Sequence, residues 1–370
     1  MIAKRDSETG RVVKIDGTVA ARGERVPVQQ QHLVPNPKRA GQTWRRFLSL
    51  LRSHGYTEIG VYMLNAAHFG SGSSRERLFM LARRDGVKVN PPIQTHAALP
   101  ARGLKRWSVA ADHIDFSQPS RSIFGRKKDL ADASLRRIAS GVVRFVLESQ
   151  NPFIIPSQHR SEVAGALPGP EVVADLLSRY YVAKARKGRA GGIVAGNSPI
   201  LAGGDEQVVT GHLIQFRGNC DARPLLEPLR TITAGGEHHG LVQCTLVPHP
   251  GDGSERMAAF LVRYYGTGGQ WSDLRNPLAT ITTRDRMALV TVVLRGYPYI
   301  IVDIRMRMLA PKELGSAQGL PARYILDRGH DGRRFTRTQS IHMIGNSVCP
   351  QPYAALLRAN PLPSMLQLAA

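Results

Sequence analysis

Residues 67–79 read Ala67-His68-Phe69-Gly70-Ser71-Gly72-Ser73-Ser74-Arg75-Glu76-Arg77-Leu78-Phe79. A glycine–serine loop here carries two arginines and runs straight into an apolar segment. A phosphate-binding loop needs its glycines after a strand and at the opening of a helix, so that backbone N–H groups and the helix dipole face the anion. In this chain the glycines lead through Arg75-Glu76-Arg77 into a strand-like run, and no Gly-Lys-Ser/Thr ending follows. That context excludes a nucleotide cradle. Ile59–Leu64 and Leu78–Arg83 flank the phrase as two apolar segments, which predicts a hairpin with a long glycine-bearing turn.

Upstream, residues 1–38 are polar and broken by Gly10, Gly17, Gly23, Pro27, Pro35 and Pro37. They predict loop, with one short hairpin around Val12–Val19. Trp44, Phe47, Leu48 and Leu51 recur at i, i+3, i+4 and i+7, the spacing of a single apolar face. A helix is therefore expected over Gly41–Ser53, with Gly55 placed to end it.

Downstream of Pro91-Pro92 the texture changes to short segments broken by proline and glycine. Helices are predicted over Leu130–Glu148, basic at Arg136, Arg137 and Arg144, and over Pro170–Arg186. Two more are expected at Met308–Leu320 and Pro350–Asn360, each with proline near its start. Ile344-Gly345-Asn346-Ser347-Val348 reads as a turn leading into the last of these. The phrase Pro228–Thr233 (PLRTIT) is echoed by Pro277–Thr282 (PLATIT). Two copies are too few for a solenoid, so a duplicated strand-loop-strand unit is expected.

Lysine and arginine number 50 against 28 acidic residues, a net charge of +22. Such an excess attracts polyanions, nucleic acid foremost. Arginine is favoured over lysine, and arginine is the better bidentate partner for phosphates and guanine edges. No apolar run reaches bilayer-spanning length and no leader pattern opens the sequence, so the expectation is a soluble cytoplasmic protein with no membrane partner. The three cysteines, Cys220, Cys244 and Cys349, are widely spaced, which suits a reducing compartment. Cys220, His238, His239, Cys244 and His249 share one region but lack paired ligand spacing, so no metal site is expected.

Read in order, three phrases resemble the DNA cytosine-5 methyltransferases, particularly phage and prophage members. Leu64–Gly70 with Ser74–Phe79 resembles that family's eighth conserved motif. Pro277–Thr283 resembles the ninth. Arg307–Leu314, Gln318–Pro321 and then Gly345–Val348 resemble the stretch that ends in the tenth. The resemblance covers most of the chain from about Thr43 onward. It implies an α/β fold: the C-terminal part of a Rossmann-like S-adenosylmethionine-dependent methyltransferase domain with an inserted mixed α+β target-recognition domain. Residues 1–90 would be the end of the catalytic domain, 91–299 the recognition region, and 300–370 the return to the catalytic domain.

The family flips a cytosine out of the duplex, attacks C6 with a cysteine thiolate, and transfers a methyl group from S-adenosyl-L-methionine to C5. By resemblance, Arg75 and Arg77 inherit the role of holding the flipped base. Ser73 stands where the family commonly has glutamine. Asn346 and Ser347 correspond to positions near the cofactor. Double-stranded DNA is the expected partner, with Arg136, Arg137, Lys184, Arg186, Lys187, Arg189, Thr280 and Thr282 as candidate DNA-side residues. Thr280 and Thr282 are expected to organise the recognition region rather than to read bases.

The family's Phe-x-Gly-x-Gly cofactor loop, Pro-Cys nucleophile and Glu-Asn-Val motif have no match here, since Cys220, Cys244 and Cys349 follow Asn, Gln and Val. The chain reads as starting just beyond the Glu-Asn-Val point. Three arrangements remain open: one subunit of a split enzyme whose partner chain supplies the missing motifs, the downstream product of a disrupted gene, or a DNA-binding module without catalysis. With half its sheet absent, the hairpin is expected to leave an exposed edge and apolar face.

Overall fold

The computed structural model describes residues 1–101, 103–149, 151–157, 167–185, 207–217, 221–248, 261–263, 271–272, 287–289, 292–294 and 297–361. The fold is mixed α/β, built of small sheets and helices. It divides into two units, Met1–Tyr62 with Phe79–Pro91, and Met63–Leu78 with Pro92–Ala370.

In the first unit the glycine-broken N-terminal stretch forms the expected hairpin, with bridges Val13↔Val19 and Arg5↔Val12. Helix α1 (Gln42–Ser53) follows, within a residue of its expected limits. Its apolar spacing is amphipathic, yet none of its residues is buried; Phe47 is 41% and Leu50 56% exposed. Strand β1 (Glu58–Asn65) then leads through the short β2 (Ser73–Ser74), which belongs to the second unit, to β3 (Glu76–Arg83). β1 and β3 make the expected hairpin, a two-stranded sheet. Neither pairs with another strand among the described residues, and Val61, Met63 and Leu78 are exposed along it.

The second unit is centred on a long antiparallel sheet. Its smaller parts come first in the chain: β4 (His96–Ala97) pairs in parallel with β5 (Lys105–Arg106), and β6 (Arg121–Ser122) joins the main sheet edge. Helix α2 (Asp132–Val142) continues through a wider turn over Val143–Leu147, and α3 (Pro170–Ala185) follows. Strands β7 (Val208–Gln215), β8 (Leu229–Arg230), β9 (His239–Pro248), β10 (Val292–Leu294) and β11 (Tyr297–Met308) complete the set. The sheet runs β10-β11-β9-β7, with β9 against β11 from Gly240↔Met308 to Pro248↔Tyr299. Three short strands, Leu261–Arg263, Trp271–Ser272 and Met287–Leu289, form a separate antiparallel sheet.

Both faces of the main sheet are covered, which the period-2 alternation of strand side chains permits. Val242, Cys244, Leu246 and Ile304 face α2 and α3 through Ile138, Val142, Val146 and Leu176. Leu213 and Leu241 point the other way, into a core with Ile114, Leu225, Ile232 and two further helices, α4 (Pro311–Gln318) and α5 (Arg337–Asn346). Helix α6 (Pro350–Arg358) ends the described chain. Pro311 and Pro350 occupy first helical positions, as their fixed φ favours.

Helix α5 corrects the expected turn at Ile344–Val348, since the helix runs to Asn346. Its start is fixed by a reciprocal cap: Thr336 Oγ1 accepts from Gln339 N at 3.2 Å, and Gln339 Oε1 accepts from Thr336 N at 2.8 Å.

Candidate functional site

The glycine–serine phrase is a packed junction rather than the free hairpin turn expected from its composition. Ala66–Phe69 makes one tight helical turn capped by the Asn65 side chain, and Gly70 follows at φ +94°, a conformation that suits glycine. Ser71 is buried and its hydroxyl donates to the Ala317 carbonyl of α4 at 3.0 Å. Gly72 lies against His113, where a Cβ would come within 2.0 Å of Nε2. His113 is itself held between the Ser108 and Ser316 hydroxyls, each 2.8 Å from a ring nitrogen. Ser73-Ser74 then pairs in parallel with Leu229-Arg230, the first copy of the repeated phrase.

Arg75 sits at the break between β2 and β3 and Arg77 within β3, and they meet opposite environments. Arg75 is 5% exposed. Its Nη1 donates to the Ile232 carbonyl at 2.7 Å and its Nη2 to the Gly345 carbonyl at 2.8 Å. Among the described residues no carboxylate pairs with it, and its Nε has no partner. Burial, and then the like charge of Arg77, lower its pKa from the usual guanidinium value. Arg77 is exposed, with Nη1 donating only to the adjacent Glu76 carbonyl at 2.7 Å. Of the two arginines, only Arg77 presents its guanidinium to solvent and to a ligand.

The C-terminal end of α5 is pressed onto the same junction. A Cβ at Gly345 would lie 2.2 Å from Ala234 N and 2.4 Å from the Thr233 carbonyl carbon, so only glycine fits. Asn346 is exposed and its amide lies 3.3 Å from His342 Nε2. Ser347 donates to the Ile344 carbonyl at 2.7 Å and accepts from Gln318 Nε2 at 3.2 Å, which ties α5 to α4. Arg75 and the Gly345–Ser347 phrase are thus brought together through a carbonyl.

Cys349 lies beside them and is buried. Burial pushes its thiol pKa up, while the Ser71 hydroxyl and the charges of Arg75 and Arg77 pull it down; the net direction is up. It is a neutral structural thiol, the opposite of an activated nucleophile. Cys244, in the middle of the sheet, is pushed up to about 12 by burial.

Asn346 and Ser347 do not by themselves make a site for S-adenosylmethionine. The serine hydroxyl is committed at both ends, and Asn346 stands on an open helix terminus. Two hollows among the described residues of the second unit, of about 520 and 460 Å³, are lined by neither residue. The residues present do not fit the cofactor alone.

The candidate DNA-side residues are more dispersed. Arg136 is exposed on α2 and pairs with Asp132 of the same helix at 3.0 Å. Arg137 lies one residue further along α2. Lys184 belongs to the last turn of α3. Arg186, Lys187, Arg189, Thr280 and Thr282 lie outside the described residues, as does Cys220. Among the described residues no group of His, Cys, Asp and Glu could hold a metal ion, and no helix is long and apolar enough to cross a membrane.

Sequence reasoning missed three parts of the junction: His113, the Ile232 carbonyl and the role of Gly345 as a contact surface. Only the Thr-x-x-Gln cap of α5 left a local signal. A scan against protein-family models finds none that matches this chain, and a comparison with curated proteins finds no match either.

Proposed function

We propose that this chain is the recognition-bearing C-terminal portion of a DNA cytosine-5 methyltransferase, acting with a second chain that supplies the cofactor loop and the Pro-Cys nucleophile. The supporting observation is the junction at Arg75. Two phrases that the resemblance groups together, 64–79 and 345–347, meet there with 228–233, the first copy of the repeated phrase, through hydrogen bonds of 2.7 and 2.8 Å. In this reading Arg75 positions the strand and Arg77 is the residue that reaches the flipped cytosine. The first copy of the repeat serves the eighth-motif strand. The Rossmann-like half-sheet would be completed by the partner against the unpaired hairpin β1–β3.

The test measures methyl transfer from tritiated S-adenosylmethionine to duplex DNA. The purified chain alone is expected to transfer none, because none of its cysteines stands in a Pro-Cys motif to form the covalent intermediate. Co-expression with a protein carrying Phe-x-Gly-x-Gly and Pro-Cys motifs, sought in the adjoining reading frame, is expected to give transfer that Arg77→Ala abolishes. Methylation by the chain alone would sink the reading. A second reading, a DNA-binding module without catalysis, is favoured by the net charge of +22. It predicts duplex binding with or without the second chain and no transfer in either case.

A further inference from the structure

A hollow of about 520 Å³ opens on the second unit between α6 and the paired strands β4 and β5. Its volume lies within the ordinary range of small-molecule sites. The floor is apolar: Phe69 from the turn before Gly70, and Ala354 and Ala355 from α6, where small side chains leave room above the helix. Lys105 of β5 and Arg358 at the end of α6 reach it from two separate elements, and no carboxylate lines it. Among the described residues neither cation is held in an ion pair.

Two polar side chains at the wall are held in place by the fold. His96 stacks over Gly70, where a Cβ would lie 2.7 Å from its ring, and its Nδ1 is 2.8 Å from the Thr95 hydroxyl. Its remaining nitrogen, Nε2, is left for another partner. Gln351 donates through Nε2 to the Gly319 carbonyl at 3.0 Å, and its Oε1 has no hydrogen-bond partner. Gly319 has φ +85° and lies so close to Gln351 that a Cβ would meet it at 2.0 Å, which locks the amide. Both ends of this amide are packed against Gly319, so Gln351 shapes the wall of the hollow.

We propose that this hollow binds a nucleoside phosphate. The apolar floor suits the face of a base, and Lys105 and Arg358 suit a phosphate group. Bare phosphate or sulfate would leave the floor uncovered, and an uncharged aromatic would leave two cations unanswered. The ligand is either a free mononucleotide or the 5′-phosphorylated end of a DNA strand, which share this chemistry. The proposal does not depend on the methyltransferase reading and uses none of the roles given to Arg75, Arg77, Asn346 and Ser347.

The experiment is calorimetric titration of the full chain with AMP, adenosine and inorganic phosphate, and with a single-stranded 12-mer with and without its 5′-phosphate. AMP is expected to bind at least about tenfold more tightly than adenosine or phosphate. Lys105→Gln and Arg358→Gln should each weaken AMP by about tenfold, with thermal unfolding unchanged because both side chains are exposed. Ala354→Trp should abolish binding by filling the floor. Tight AMP binding assigns a free nucleotide; binding only of the 5′-phosphorylated 12-mer assigns a strand end. The proposal is overturned if neither AMP nor the 5′-phosphorylated 12-mer binds, if AMP binds but no more tightly than adenosine, if the 12-mer binds equally without its 5′-phosphate, or if both charge-removing variants bind like the parent protein.

Discussion

Arg75 and Gly345 stand 270 residues apart in the chain and are joined by a 2.8 Å hydrogen bond from Nη2 to the carbonyl oxygen. A second bond, to the Ile232 carbonyl, makes the same guanidinium a bridge between three segments. A buried cation answered only by main-chain dipoles holds those segments in one geometry, and its removal leaves two carbonyls without their donor.

Arg75→Ala is therefore expected to lower stability by about 3 kcal/mol, since two charge-assisted bonds are lost in a buried place. Arg77→Ala should stay within about 0.5 kcal/mol, as befits an exposed side chain. Urea unfolding of both variants separates the two arginines. Equal effects would contradict the division of labour drawn from their burial.

Gly345→Ala tests the contact between α5 and the 233–234 backbone. In an open helix the change would gain about 1 kcal/mol of propensity. Here the added carbon meets main-chain atoms at 2.2 and 2.4 Å, which cannot swing aside. The expected outcome is a loss of at least about 2 kcal/mol, read from the denaturant midpoint.

His212 gives the second unit an acid sensitivity. It is fully buried against Gly141 and Ala222, both ring nitrogens lack partners among the described residues, and burial pushes its pKa down to about 3. The unfolded chain takes up a proton near pH 6.5 and the folded one only near 3, so stability is full above about pH 6.5 and falls as the pH drops towards 3. The loss is on the order of 4 kcal/mol across that window. His239, pushed to about 4, adds to it with the same sign. His212→Leu should flatten the urea midpoint between pH 4 and 7 by about one proton's worth of slope; an unchanged slope would remove His212 as its source.

Duplex DNA affinity should fall steeply with salt, with log K declining linearly against log salt concentration, because a surface of this charge binds by displacing counterions. Filter binding between about 50 and 200 mM salt reads the slope. Affinity indifferent to salt would argue against phosphate contacts as its main source.

Much of the local architecture was legible from residue patterns. The spacing of Trp44, Phe47, Leu48 and Leu51 marked α1, and apolar runs marked β1 and β3 to within two residues. Burial was not legible: α1 has the pattern of a core helix and no buried residue, because amphipathic spacing states what a helix can cover and not whether a cover is present. Helix α5 was hidden by Gly345 and Asn346, which read locally as a turn, whereas the contact with Thr233 and Ala234 is tertiary. Arg75 and Arg77 looked alike in sequence, two residues apart. Regular strand alternation would put residues two apart on one face, so their opposite burial is set by the break in the strand at Arg75, and only the fold reveals which carbonyls await the inner one.

The parallel pairing of Ser73-Ser74 with Leu229-Arg230 has a bearing on biosynthesis. Parallel partners so far apart cannot zip from a local turn, and the closure entropy must be met before the pairing contributes anything. While the ribosome is still making residues 76 to 228, the Ser73-Ser74 strand has no neighbour, and Arg75 has no second carbonyl until Gly345 emerges. The junction is thus among the last features to form, after release of nearly the whole chain. A nascent chain stalled before α5 would hold Arg75 with the Ile232 carbonyl alone, one of the two acceptors its guanidinium meets in the folded protein.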